Sequence, residues 1–192
     1  MRIIAGLAKR MTLAVPRTGV RPTADRIREA VFSSLGERVV GARVLDLFAG
    51  TGALGLEAAS RGASSVTFVE QGRAVLECLE KNIQAFQRNR ETRCSLAITR
   101  ATVASELRKM AADREVFQLI FADPPYGEAA AELLREPGLS SLLMDEGLLV
   151  LESGRRDELP VGEAWERVRE SIYGDTRVTF LRVRTKLADR ES

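Results

Sequence analysis

Two consecutive prolines, Pro124 and Pro125, close the largely apolar run Phe117–Ala122. A continuous apolar run of this length reads as a strand buried on both faces of a parallel sheet. Proline offers no backbone N–H and holds φ near ~−65°, so strand pairing must stop at this point and the loop that follows must be stiff. Open α/β sheets bind ligands outside the carboxyl ends of their strands. Asp123-Pro124-Pro125-Tyr126 at such an end supplies a carboxylate, carbonyls that no proline N–H competes for, and a ring face for stacking. That set suits an amino group carried on a flat ring. A plain strand-ending turn with Tyr126 packed over it would use the same residue types, so the tetrapeptide needs support from elsewhere in the chain.

The rest of the chain alternates strands and helices. Arg2–Ala5 and Met11–Val15, around Gly6, read as a β-hairpin projecting ahead of the main fold, which divides the chain into a basic arm at 1–22 and a main domain at 23–192. Thr23 is a candidate N-cap, and Ile27, Ala30, Val31, Ser34 and Leu35 mark the apolar stripe of a helix over Ala24–Leu35. Then follow a strand from Arg43, a glycine turn, a helix through Leu56–Ala59, and a strand over Val66–Val69 that ends at Glu70. Further on come a helix over Arg73–Gln87, a strand over Ser95–Ile98 and a helix over Val103–Ala112. Beyond Phe117–Ala122 lie a helix over Ala129–Arg135 and a strand over Gly147–Leu151. Val168–Tyr173 and Arg177–Arg184 form a closing hairpin about Gly174-Asp175. This order predicts an α/β, doubly wound, Rossmann-like sheet, mostly parallel, with an antiparallel C-terminal hairpin.

The 192 residues contain no histidine, which excludes a histidine base, a Ser-His triad and any His-ligated metal. Any chemistry then falls to carboxylates, backbone groups or a cofactor, and no metal is expected. Cys78 and Cys94 lack metal spacing and read as buried free thiols of a cytoplasmic protein. No run approaches the ~18 apolar residues of a membrane span, and the start of the chain does not read as a secretory signal. Residues 1–43 hold nine Lys or Arg against three acidic residues, a net +6 in a chain whose total is +2. A basic arm of this kind suits a polyanion such as nucleic acid, although a solvated charged surface would look the same.

Gly50-Thr51-Gly52-Ala53-Leu54-Gly55 satisfies G-x-G-x-x-G, with Glu70 about twenty residues from the first glycine, as a dinucleotide fingerprint requires. A nicotinamide oxidoreductase is therefore a genuine rival. Asp46 argues against it, because a carboxylate at that strand end would repel a pyrophosphate. A cationic ligand fits better, and S-adenosylmethionine carries a sulfonium and an ammonium. Glu70 would accept from its ribose hydroxyls. Capping of the glycine turn by Asp46 and simple solvation of Glu70 are the plainer alternatives.

Asp46 with the glycine loop, Glu70, and Asp123-Pro124-Pro125-Tyr126 occur in the order of class I methyltransferases that modify exocyclic amines. Together with Arg2-Ile3-Ile4-Ala5-Gly6, Arg21-Pro22-Thr23-Ala24-Asp25-Arg26-Ile27-Arg28-Glu29 and Tyr173-Gly174-Asp175-Thr176, the chain resembles the RsmD-type family of bacterial 16S rRNA guanine-N2 methyltransferases. The resemblance spans nearly the whole chain. It implies a Rossmann-like class I methyltransferase domain with S-adenosylmethionine as cofactor. Gly50 and Gly52, with the backbone of Phe48 and Ala49, would hold the methionine moiety. Glu70 beside Gln71 would take the ribose, and Thr23 would approach from the N-terminal side. Asp123, Pro124, Pro125 and Tyr126 would clamp the target guanine. Such enzymes often carry an acidic residue near the adenine amine after the third strand. Here Arg100-Ala101-Thr102 stands instead, leaving Thr102 or a backbone carbonyl for that contact. Lys9, Arg10, Arg17 and Arg21 would meet phosphates of small-subunit ribosomal RNA or its assembly particle, with the enzyme acting as a monomer. Adenine-N6 methylation of DNA or RNA and a non-catalytic RNA-binding module are the other functions compatible with these residues.

Overall fold

The computed structural model describes residues 1–16, 23–89, 91–162 and 164–184, without the side chains of Thr23 and Ala24. Arg17 and Arg21 lie outside the described residues, as does any side-chain role for Thr23. The elements run α1 (Thr23–Leu35), β1 (Arg43–Leu47), α2 (Ala53–Ser60), β2 (Ser65–Glu70), α3 (Arg73–Gln87), β3 (Ser95–Arg100), α4 (Val103–Ala112), β4 (Phe117–Ala122), α5 (Ala129–Arg135), β5 (Leu143–Gly154), β6 (Trp165–Tyr173) and β7 (Thr176–Val183). Short 3₁₀ turns at Gly36–Val39 and Ser140–Leu142 follow α1 and precede β5.

The strands form one seven-stranded sheet in the order β3-β2-β1-β4-β5-β7-β6. β1 to β5 pair in parallel, while β7 runs antiparallel to both β5 and β6. The chain first builds outward from β1 to β3, then returns to place β4 on the other side of β1. That reversal makes the carboxyl ends of β1 and β4 the switch point where such sheets open a crevice.

Both faces of the sheet are covered, which is why its central strands lack a polar face. On one face Val44, Phe68, Leu119, Phe121, Leu148 and Val150 pack against α1, α2 and α3. On the other, Leu45, Leu47, Ile120, Ala122, Leu149 and Leu151 pack against α4 and α5. The rings of Phe32 and Phe121 lie 5.5 Å apart at 50°, fixing α1 over the end of β4. At the hairpin, Arg182 donates to Glu166 through Nε and Nη2 at 3.0 and 3.1 Å, a cross-strand pair that holds the β6–β7 register.

Four local readings are corrected. The N-terminal segment pairs through a single antiparallel bridge, Arg2 with Thr12, but it lies on the body of the protein instead of projecting. Ile3, Ala8 and Leu13 are buried in the same core as α1 to α3. The stripe of α1 is turned toward Arg28 and Phe32, both buried, rather than Ala30 and Ser34. An arginine is admitted there because buried Glu57 sits 3.7 Å from its Nε and Asp25 accepts from its Nη2 at 3.0 Å. β5 begins four residues before Gly147 and continues three beyond Leu151, since β7 supplies hydrogen-bond partners for its second half. Cys78 and Cys94 are free but only half-buried.

Candidate active site

The glycine loop joins β1 to α2. Gly52 has φ 79°, and an added Cβ would meet Leu79 at 2.5 Å. Gly55 needs its missing side chain for another reason, because a Cβ there would stand 2.3 Å from Phe68 and 2.7 Å from Val66. This close seating brings α2 down onto β1 and β2. Phe48, just before the loop, is held at φ 56°, a left-handed conformation uncommon for an aromatic residue and the sort of local strain that collects at functional sites.

Asp46 is 2% exposed, and its Oδ2 accepts from the Gly55 N–H at 2.9 Å, so it does cap the turn. That amide lies in the first turn of α2, where a pyrophosphate would otherwise bind. The same bond that orients Asp46 therefore withdraws a donor that a dinucleotide needs. Glu70 is equally tied to the backbone. Its Oε2 accepts from Gly50 N at 2.9 Å, and its Oε1 accepts from Gln71 N and Gly72 N at 2.8 and 2.7 Å. The end of β2 is thus stitched to the glycine loop on β1.

β4 ends beside these groups. Its register with β1 pairs Asp46 with Phe121 and Leu47 with Ala122, which puts Asp123 just past the tip of β1. Strand alternation then sets three carboxylates on the face covered by α1 to α3: Asp46 after Val44, Asp123 after Phe121 and Glu152 after Val150. One cavity of about 150 Å³ gathers Asp46, Phe48, Ala49, Gly50, Asp123 and Glu152, with Arg28 descending from α1 and Met1 at its edge. The Arg28 Nε is buried without a hydrogen-bond partner among the described residues.

The electrostatics follow from crowding acids into a poorly solvated crevice. Burial pushes Asp46 up to about 8, against the lowering effect of the Gly55 N–H and with help from Asp123 and Glu70. Burial likewise raises Asp123, to about 6. Asp123 is also exposed to solvent at the cavity mouth, which moderates that rise. Glu152 rises to about 8, through burial first and then Asp123 and Asp46, with Arg28 pulling the other way.

Pro124 is buried, whereas Pro125 and Tyr126 are exposed, Tyr126 to 46%. The Tyr126 hydroxyl shares a hydrogen bond with Thr176 at the start of β7. Asp157 accepts from Gly127 N at 3.1 Å and Gly154 N at 2.7 Å. The proline corner is thereby pinned to both β5 and the closing hairpin.

Two expected contacts lie away from this cavity. Thr102 caps α4, its Oγ1 accepting from Ser105 N at 3.2 Å. Gln71 is exposed beyond Glu70. Lys9 and Arg10 are also exposed, and they border a second concavity of about 470 Å³ together with Arg2 and Arg26. Sequence reading missed Arg28 and Glu152. Carrying the period-two pattern of β5 past Leu151 would have found Glu152. Arg28 was visible only as a charge one residue from Ile27.

The N-terminal segment closes one side of the site. Glu57 is fully buried and accepts from Ile4 N at 2.7 Å and Ala5 N at 3.1 Å. Asn82 on α3 accepts from Ala14 N at 2.7 Å and donates to the Ala14 and Thr51 carbonyls at 3.0 and 2.9 Å. One buried amide group thus binds the segment to the glycine loop.

The family model described as Conserved hypothetical protein 95 matches residues 1–182. Ribosomal RNA small subunit methyltransferase D of Escherichia coli (strain K12) is 36% identical over 180 residues, covering 91% of this chain and 85% of that protein. The solved structure of a hypothetical protein from Thermus thermophilus is similar at a TM-score of 0.79 and 32% identity, over 95% of this chain and 99% of that one. A T. thermophilus 16S rRNA N2 G1207 methyltransferase, solved with AdoMet and guanosine, shares the fold at a TM-score of 0.65 and 24% identity, over 88% of this chain and 44% of that one. A family model spanning almost the entire chain, with relatives matched from end to end, leaves one assignment: the chain belongs to the RsmD-type family of class I methyltransferases.

Proposed function

We propose that this protein transfers a methyl group from S-adenosylmethionine to the exocyclic N2 amine of a guanine in small-subunit ribosomal RNA, acting in the cytoplasm as a monomer on the RNA or its assembly particle. The observation that carries this reading is the adjacency of two strand ends. Asp46 and the glycine loop on β1 share a cavity with Asp123, which opens the proline corner of the neighbouring β4. The residues present fit the cofactor. Buried Asp46 suits its cationic end, and the Arg28 Nε, without a hydrogen-bond partner among the described residues, suits its single carboxylate. When bound, S-adenosylmethionine supplies an electrophilic methyl group on sulfonium.

The chain's own residues do the rest by placement. Asp46, Phe48, Ala49, Gly50 and Gly52 would hold the amino-acid end, and Glu70 with Gln71 the ribose edge. Asp123 and the Pro124 carbonyl would accept from the guanine N2 amine. Accepting both of its N–H bonds localises the nitrogen lone pair and aims it. Positioning of this kind can lower a barrier by roughly 7–11 kcal/mol. Asp123 would also take the proton released after transfer, worth typically ~10²–10⁴-fold. The stiff Pro124-Pro125 turn keeps the acceptors in place, and the partly exposed Tyr126 would stack on a base drawn out of its helix. Lys9 and Arg10 would meet phosphates.

Mass mapping of small-subunit RNA methylation tests this directly. RNA from cells lacking the activity should lose one N2-methylguanine and regain it on incubation with the protein and S-adenosylmethionine. A methyl group appearing on adenine N6 instead would redirect the assignment.

A further inference from the structure

We infer that Glu152 is a specificity residue that reads the N1–H of the target base, and so selects guanine over a purine that carries the same amine without a neighbouring N–H. The inference rests on the guanine-N2 reading above and extends it to a residue outside the glycine loop and the Asp-Pro-Pro-Tyr corner.

Three observations support it. First, Ala122 on β4 pairs with Leu151 on β5, so the next residues, Asp123 and Glu152, emerge side by side. Both line the cavity that holds Asp46 and Gly50. Second, no protein hydrogen bond reaches either carboxylate among the described residues, and the charge of Asp123 bears on Glu152. Asp46 and Glu70, by contrast, spend oxygens on backbone amides. Two adjacent carboxylates without donors among the described residues form a row of acceptors awaiting a row of donors. Third, Arg28 stands above them from the buried face of α1 and favours the charged form of Glu152.

The chemistry of the base edge completes the argument. Guanine presents N1–H beside its N2 amine, two adjoining donors along one edge. With Asp123 on the amine, the neighbouring acceptor is Glu152. A base whose N1 is a bare acceptor meets a carboxylate with no proton between them, and the half-buried group is left unpaired. Glu152 takes no part in bond making, so its effect belongs in base preference and not in cofactor binding.

The test compares small-subunit RNA carrying guanine or 2-aminopurine at the modified nucleotide, because 2-aminopurine keeps the 2-amine and lacks N1–H. Assays at pH about 8.5 keep both carboxyls largely ionised. The intact protein is expected to prefer guanine by at least ~10-fold in kcat/KM, the discrimination expected of one hydrogen bond to a charged group. In Glu152→Ala the guanine rate should fall until that preference disappears, with S-adenosylmethionine affinity by calorimetry unchanged. Glu152→Gln should narrow the preference as well, because its amide N–H can donate to N1 of 2-aminopurine. Equal rates on both RNAs with the intact protein, or a full preference in Glu152→Ala with cofactor binding intact, would overturn the inference. Should Glu152→Ala lose cofactor binding too, the near-isosteric Glu152→Gln decides, and an unchanged preference there overturns it. Transfer to neither RNA by the intact protein would instead bring down the guanine-N2 reading itself.

Discussion

Asp123 carries the sharpest expectation at the scale of single residues. Asp123→Ala should abolish methyl transfer while leaving S-adenosylmethionine affinity by calorimetry nearly unchanged, since the proposed reading gives this carboxylate to the base amine and the cofactor to Asp46, Glu70 and the glycine loop. Protonation gives a second test. Asp46, Asp123 and Glu152 are all raised above their ordinary range on folding. The folded protein therefore binds more protons than the unfolded chain between pH about 4 and about 8, and its stability must fall as pH rises through that window. Thermal unfolding without cofactor should show a declining Tm from pH about 5 to about 8.5. Cofactor affinity should move the opposite way, because ionised Asp46 favours a cation. A Tm that rises over that interval would contradict the inverted ionisation of these three groups. Glu70 and Asp123 were legible because each ends an apolar run, and Asp46 because it interrupts one just before the glycine turn. Glu152 was not, because its strand reads as finished at Leu151 until β7 is known to extend it.

Among elements, the helices α3, α4 and α5 fall on the residues expected from periodicity, because each pairs a clean apolar stripe with clear boundaries. α1 departs from its pattern because Arg28 is buried against a partner far along the chain, and no local pattern encodes Glu57 as that partner. The α2–β1 contact makes a measurable claim. Gly55→Ala forces a Cβ against Phe68 and should destabilise the protein by roughly 1–3 kcal/mol, read from urea unfolding. The N-terminal segment makes another. Glu57→Gln removes the charge that anchors Arg28 and Arg61, and breaking such a buried pair costs about 3–5 kcal/mol. Hydrogen exchange at the Ile4 and Ala5 amides should quicken in that variant, more than at the core of β4. Equal acceleration at both places would mean that the segment is not held independently by this carboxylate.

For the molecule as a whole, composition showed a basic beginning but not where its charges would lie. Folding the segment onto α1 brings Lys9 and Arg10 beside Arg2 and Arg26, around a concavity separate from the acidic cavity. RNA affinity should therefore fall with salt, and each of Lys9→Ala and Arg10→Ala should reduce the slope of log affinity against log salt by about 0.7. Slopes unchanged by both substitutions would remove these side chains from the RNA contact. The parallel course of the first five strands was readable, since strands alternating with helices imply crossovers of one hand. The interposition of β7 between β5 and β6 was not, because a hairpin can dock by either strand. That interposition has a consequence for synthesis on the ribosome. Until Thr176–Val183 emerges, β5 has no neighbour on one side, and its unsatisfied amides flank the very carboxylate that completes the acidic row. A nascent chain can thus collapse its first four strands early, yet it acquires a finished catalytic crevice only once β7 has been made.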